Sequence, residues 1–119
     1  DRSKALSAGR GPMVIISASG MATGGRVVHH LKSFAPDHRN TILFAGYQAG
    51  GTRGAAIVHG ASTVRIHGQD VPIGAEVASL DNLSAHADAD EILAWMRGFT
   101  QTPRRTFVTH GEPEAADAL

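Results

Sequence analysis

The chain has 119 residues with 11 basic and 11 acidic side chains, so it is neither polybasic nor polyacidic as a whole, and its 42% apolar content suits one compact domain or a piece of a larger one. It has no cysteine, which excludes a disulfide framework and any thiolate metal site. No apolar run approaches the roughly 20 residues of a membrane span and no leader pattern is visible, so a cytoplasmic protein without membrane contact is expected.

Taken in order, Met13-Val14-Ile15-Ile16 is a short continuous apolar run and reads as a buried parallel strand. The loop Ser17 to Gly25 follows, rich in glycine and hydroxyls. Arg26 to Phe34 reads as a helix with Val27, Val28 and Leu31 inward and Pro36 beyond its end. Thr41 to Ala45 is a second buried strand, and a second small-residue loop runs from Gly46 to Gly54. Thr52 is placed to cap a short helix through Val58. This alternation predicts an α/β fold with a Rossmann-like layered unit.

The pattern changes after Gly60. Thr63 to His67 alternates, Gly68-Gln69-Asp70 signals a turn, and Val71 to Leu80 reads as one returning strand of an antiparallel hairpin. Asp88 with Glu91 forms a capping box ahead of a helix whose apolar face is Ile92, Leu93, Trp95, Met96 and Phe99. Arg105 to Thr109 reads as a last strand.

The neutral total hides an asymmetry. Residues 1–67 carry eight Lys and Arg against two acidic residues, and residues 68–119 carry three against nine. Opposed halves fit a basic part that faces a polyanion, or two halves that attract each other. The Ser17–Gly25 loop has the composition of a phosphate cradle: Ser19, Gly20, Gly24 and Gly25 permit close backbone approach, and Arg26 in the first helical turn adds a cation. A ligand-free strand–helix turn has the same composition. The pattern matches neither a Walker A loop nor a dinucleotide fingerprint. His86 precedes the capped helix and His110 closes the last strand, so one strand–helix–strand unit can bring both imidazoles to one rim. Two ordinary polar loop residues would look alike. His29 and His30 point about 100° apart on their helix. Together with His38, His59 and His67 they read as structural or surface residues.

Several ordered segments carry a resemblance: Ser17-Ala18-Ser19-Gly20-Met21, Gly24 to Lys32, Gly46-Tyr47-Gln48 with Gly51-Thr52, Val64-Arg65-Ile66, Ser84-Ala85-His86-Ala87-Asp88, and Thr109-His110-Gly111-Glu112. The chain resembles the C-terminal part of the β-CASP branch of the metallo-β-lactamase-fold RNases. The resemblance implies that residues 1–82 close a Rossmann-like β-CASP insertion and that 83–119 are a returning strand–helix–strand segment of the metallo-β-lactamase αββα domain. It implies a zinc-dependent ribonuclease of RNA processing or decay, with two zinc ions, RNA as partner and a possible homo-oligomer. A non-catalytic RNA-binding or scaffold relative and a DNA-directed nuclease are the alternatives. Ser84, Ser19, Gly20, Gly24, Gly25 and Arg26 are expected to contact substrate, and the resemblance adds roles for the two histidines. His86 meets the scissile phosphate and protonates the leaving oxygen, and His110 ligates one zinc. The family's His-x-His-x-Asp-His cluster is absent here, so the chain is expected to be an inactive piece of a larger enzyme that binds no zinc by itself.

Overall fold

The computed structural model describes residues 2–9, 11–82, 86–109 and 111–119. It forms two compact units, Asp1–Leu83 and Ser84–Leu119. The architecture is mixed α/β, with one parallel and one antiparallel strand pair among the described residues.

The first unit opens with α1 (Arg2–Ala8), a helix too short and too weakly patterned to stand out in the sequence. It packs on α2 (Arg26–Phe34), where His30 is buried and places its two ring nitrogens 3.1 Å and 3.5 Å from the Ser3 and Ser7 hydroxyls. Val28 and Leu31 of α2 are buried, as their spacing predicts, and Val27 packs at the edge of the core. β1 (Thr41–Ala45) pairs in parallel with β4 (Glu76–Leu80), from Thr41 opposite Glu76 to Ala45 opposite Leu80. The crossover between them holds α3 (Arg53–Val58) and an antiparallel hairpin, β2 (Thr63–Ile66) with β3 (Gln69–Pro72). Ile57 of α3 and Ile66 of β2 are fully enclosed, beside Val28, Phe44, Val64 and Val71.

In the first unit four expectations change. The run Met13 to Ile16 is not a strand, and Val14 and Ile16 are 89% and 95% exposed. An apolar run becomes a strand only beside a partner ladder, and no described strand lies against it. β1 is buried only at Phe44, while Leu43 stays exposed, because a two-stranded sheet covers few of its own faces. The long strand Val71–Leu80 breaks in two. The Ala35 carbonyl accepts from both Gly74 N–H (2.8 Å) and Ala75 N–H (2.9 Å), and a Cβ on Gly74 would stand 2.5 Å from the Pro36 carbonyl oxygen. The end of α2 therefore pins the chain at Gly74, and the residues beyond it pair with β1 instead of β2. The hairpin turn itself is His67-Gly68, one residue earlier than the sequence signals, with φ of 48° and 76°, the positive values that a two-residue type I′ loop needs.

In the second unit α4 (Ala89–Arg97) has the expected capping box. The Asp88 carboxylate accepts from Glu91 N–H at 2.8 Å, and the Glu91 carboxylate accepts from Asp88 N–H at 3.0 Å. α5 (Pro113–Ala118) closes the chain. Residues 105–109 carry no strand pairing, and Phe107 is 76% exposed, for the same want of a partner. No described helix is long and apolar enough to cross a membrane.

Candidate functional site

The two small-residue loops of the first unit are locked together. Gly54, in the first turn of α3, donates its N–H to the Met21 carbonyl at 2.8 Å, and a Cβ there would meet the Gly20 carbonyl oxygen at 2.5 Å. The Ala49 N–H points to the Met21 sulfur at 3.1 Å. Thr52 caps α3 through its hydroxyl, which accepts from Ala55 N–H at 3.2 Å. Ser19 and Ala22 take positive φ, 76° and 51°, and Ala22 N–H closes the turn onto the Ser19 carbonyl at 3.0 Å. Side chains rarely adopt such angles, so the loop holds its shape through these contacts rather than by local preference.

Arg53 ties the arrangement together. Its Nη1 donates to the Ala22 carbonyl and its Nε donates to the Arg65 carbonyl at 2.8 Å. One side chain thus joins the first loop, α3 and the hairpin. Beside it lies a depression of about 290 Å³, whose polar side chains are Thr23, Arg26, His29, Arg53 and His67, with the backbone of Gly24 and Gly25 at its edge. No carboxylate lines it, and among the described residues none pairs with Arg26 or Arg53. Gly25 precedes α2 at φ 76° without any side-chain cap, so the first N–H groups of α2 are left for another acceptor. The site is an uncompensated cationic hollow at a helix start, chemically suited to an oxyanion.

The expected substrate residues therefore divide. Gly24, Gly25 and Arg26 line the hollow. Ser19 and Gly20 lie at the other end of the loop, where Gly20 faces Gln48 and Gly54. His86 is exposed in the second unit, two residues before the Asp88 cap. Ser84 and His110 lie outside the described residues, and with them the expected pairing of His86 with His110. Among the described residues no three His, Asp or Glu side chains gather to hold a metal, and these residues do not fit a zinc centre by themselves. Three hollow-lining residues did not stand out in the sequence: Arg53, His29 and His67. Arg53 repeats the place of Arg26, the first residue of a helix after a small-residue loop, and His29 lies one turn from Arg26 on the same face. Nothing in the sequence brings His67 to them.

Residues 1–57 match the family model described as the Beta-Casp domain, and residues 70–119 match the Zn-dependent metallo-hydrolase RNA specificity domain. The chain belongs to the β-CASP family. It is 44% identical over 119 residues to Ribonuclease TTHA0252 of Thermus thermophilus, covering 100% of this chain and 27% of that protein. It is 36% identical over 108 residues to the Transcription termination factor FttA of Pyrococcus abyssi, covering 87% of this chain and 17% of that one. The Lokiarchaeum FttA is 37% identical over 116 residues, with 93% and 18% covered. This β-CASP chain thus spans about a quarter of the ribonuclease and less than a fifth of the termination factors.

Proposed function

We propose that this chain belongs to a zinc-dependent ribonuclease in which the first unit grips the RNA backbone and His86 acts as general acid. The observation that carries the reading is the hollow at the start of α2, where two arginines and two histidines converge with no acidic residue in the lining. Phosphodiester oxygens match it: guanidinium groups and helix-start N–H groups hold them without regard to base. The names of the relatives, a ribonuclease and a termination factor, agree with RNA as ligand. Ser19, Gly20 and Ser84 are assigned as further backbone contacts. The two zinc ions belong to the full-length protein, with His110 as one ligand. The part given to this chain in the chemistry is to bind the strand and to deliver a proton from His86 to the departing oxygen, a task for which imidazole is suited near neutral pH.

The test uses the full-length protein with a single-stranded RNA. Arg26→Ala should weaken binding for all sequences alike and reduce the salt slope by about one phosphate contact. His86→Ala should slow cleavage by about 10²–10⁴-fold with zinc content unchanged. An unaltered affinity and salt slope in Arg26→Ala sinks the grip. Undiminished cleavage in His86→Ala sinks the acid, and RNA binding without any cleavage by the intact protein favours a scaffold over a hydrolase.

A further inference from the structure

We propose that the hollow is a proton-linked site for a single phosphate group, with the imidazoles of His29 and His67 as its two titrating walls. The RNA reading supplies the source of that phosphate, and the pocket stands on its own geometry. The two rings lie 4.6 Å apart between centroids with 40° between their planes. They come from separate elements, His29 from α2 one turn beyond Arg26 and His67 from the tip of the β2–β3 hairpin. His67 holds φ 48° at a turn position where Asn, Asp or Gly is usual. Histidine is among the residues that tolerate this region, so the turn can present an imidazole on the side of His29.

The surrounding charge fixes the sign of the effect. Arg26 and Lys32 come from α2, Arg53 from α3, and Arg65 and Asp70 from the hairpin. The one carboxylate in that set, Asp70, is tied to Arg65 at 3.0 Å. His30, next to His29, is turned away and held by the Ser3 and Ser7 hydroxyls. Two imidazolium rings this close repel each other and the arginines. An oxyanion seated among them converts that repulsion into attraction and gives each ring N–H an acceptor. Binding therefore takes up protons. Affinity for the anion increases as pH falls and decreases as pH rises.

The experiment measures the full-length protein at pH 6 and pH 8 at fixed ionic strength with two probes. One is a fluorescent single-stranded RNA followed by anisotropy, and the other is inorganic sulfate, a tetrahedral oxyanion that exchanges no proton in this range, followed by calorimetry in buffers of different ionisation enthalpy. The expected result is about tenfold tighter binding of both probes at the lower pH, with proton uptake. That pH dependence should be abolished in the His29→Gln, His67→Asn double variant, in which Asn is chosen because it tolerates positive φ. If circular dichroism shows that His67→Asn disturbs folding, His29→Gln alone decides, at an exposed helix position, by halving the proton uptake. An equal pH slope in wild type and variant overturns the proposal and leaves the RNA reading standing. Sulfate binding with the expected slope but no RNA binding supports the pocket and removes RNA as the source.

Discussion

In the first unit Val28, Ile57 and Ile66 are at most 4% exposed, whereas in the second Trp95 is 68% and Leu93 37% exposed. The contrast does not come from local signals, because α4 has the better ones: a capping box, Asp90 and Glu91 in its first turn and Arg97 in its last. α2 has no side-chain cap and no acidic residue in its first turn. Yet α2 meets a hairpin, a strand and another helix within its own unit, and no residue of α4 is fully buried, with only Ile92 and Met96 half-buried. Trp95 and Phe99 make do with each other, edge to face at 4.8 Å between centroids. Local chemistry decides that a helix forms, and the neighbours decide whether its apolar face is covered.

The chain's single tryptophan lies in the second unit, so its emission follows that unit while far-ultraviolet dichroism reports both. The largest expected effect comes from Gly54→Val. A branched side chain must displace the Gly20 carbonyl, which stands 2.5 Å from the Cβ position, and this also pushes the first loop off α3. The expected cost is about 3 kcal/mol, a fall of roughly 10 °C or more in the dichroism midpoint. Trp95 emission should be unchanged. A coincident shift of the tryptophan signal would show that the two units melt as one and would break the comparison. A smaller effect is expected from Asp88→Ala, which removes the capping carboxylate of α4. It should cost that helix about 1 kcal/mol and alter Trp95 emission, with the first unit's midpoint left in place.

The elements that the sequence reveals are those with self-contained signals. The span of α2, the Thr52 cap of α3 and the Asp88–Glu91 box all follow from residues within one turn. The strand readings at Met13–Ile16 and Arg105–Thr109 differ from the structure because apolar composition says nothing about a partner. The break at Gly74 is hidden for a related reason: the Ala35 carbonyl that pins it is 39 residues away in sequence, out of reach of any local pattern. The same split runs through the candidate site. Gly24, Gly25 and Arg26 are legible as a glycine-rich helix start. His67 is not, because its place beside α2 rests on tertiary packing of α3 and the hairpin through Ile57 and Ile66.

The smallest expected effect asks whether surface charge, rather than buried area, separates the two units. Asp37, just past α2, receives Arg39 Nη2 at 2.6 Å and its own loop's Arg39 N–H at 3.0 Å. The Arg39 guanidinium and that N–H hold the Asp37 carboxyl well below the usual carboxylate range. A depressed value in the folded state means that the contribution is fully present above the unfolded carboxylate range, near pH 4, and declines as pH falls below it. The pair is on the surface, so water screens it and the contribution is small. Asp37→Asn should therefore lower the dichroism midpoint at pH 6 by less than Gly54→Val does, and the gap between variant and wild type should narrow at pH 3. A loss at pH 6 as large as that of Gly54→Val would mean that this turn, and not the core behind it, holds the first unit together.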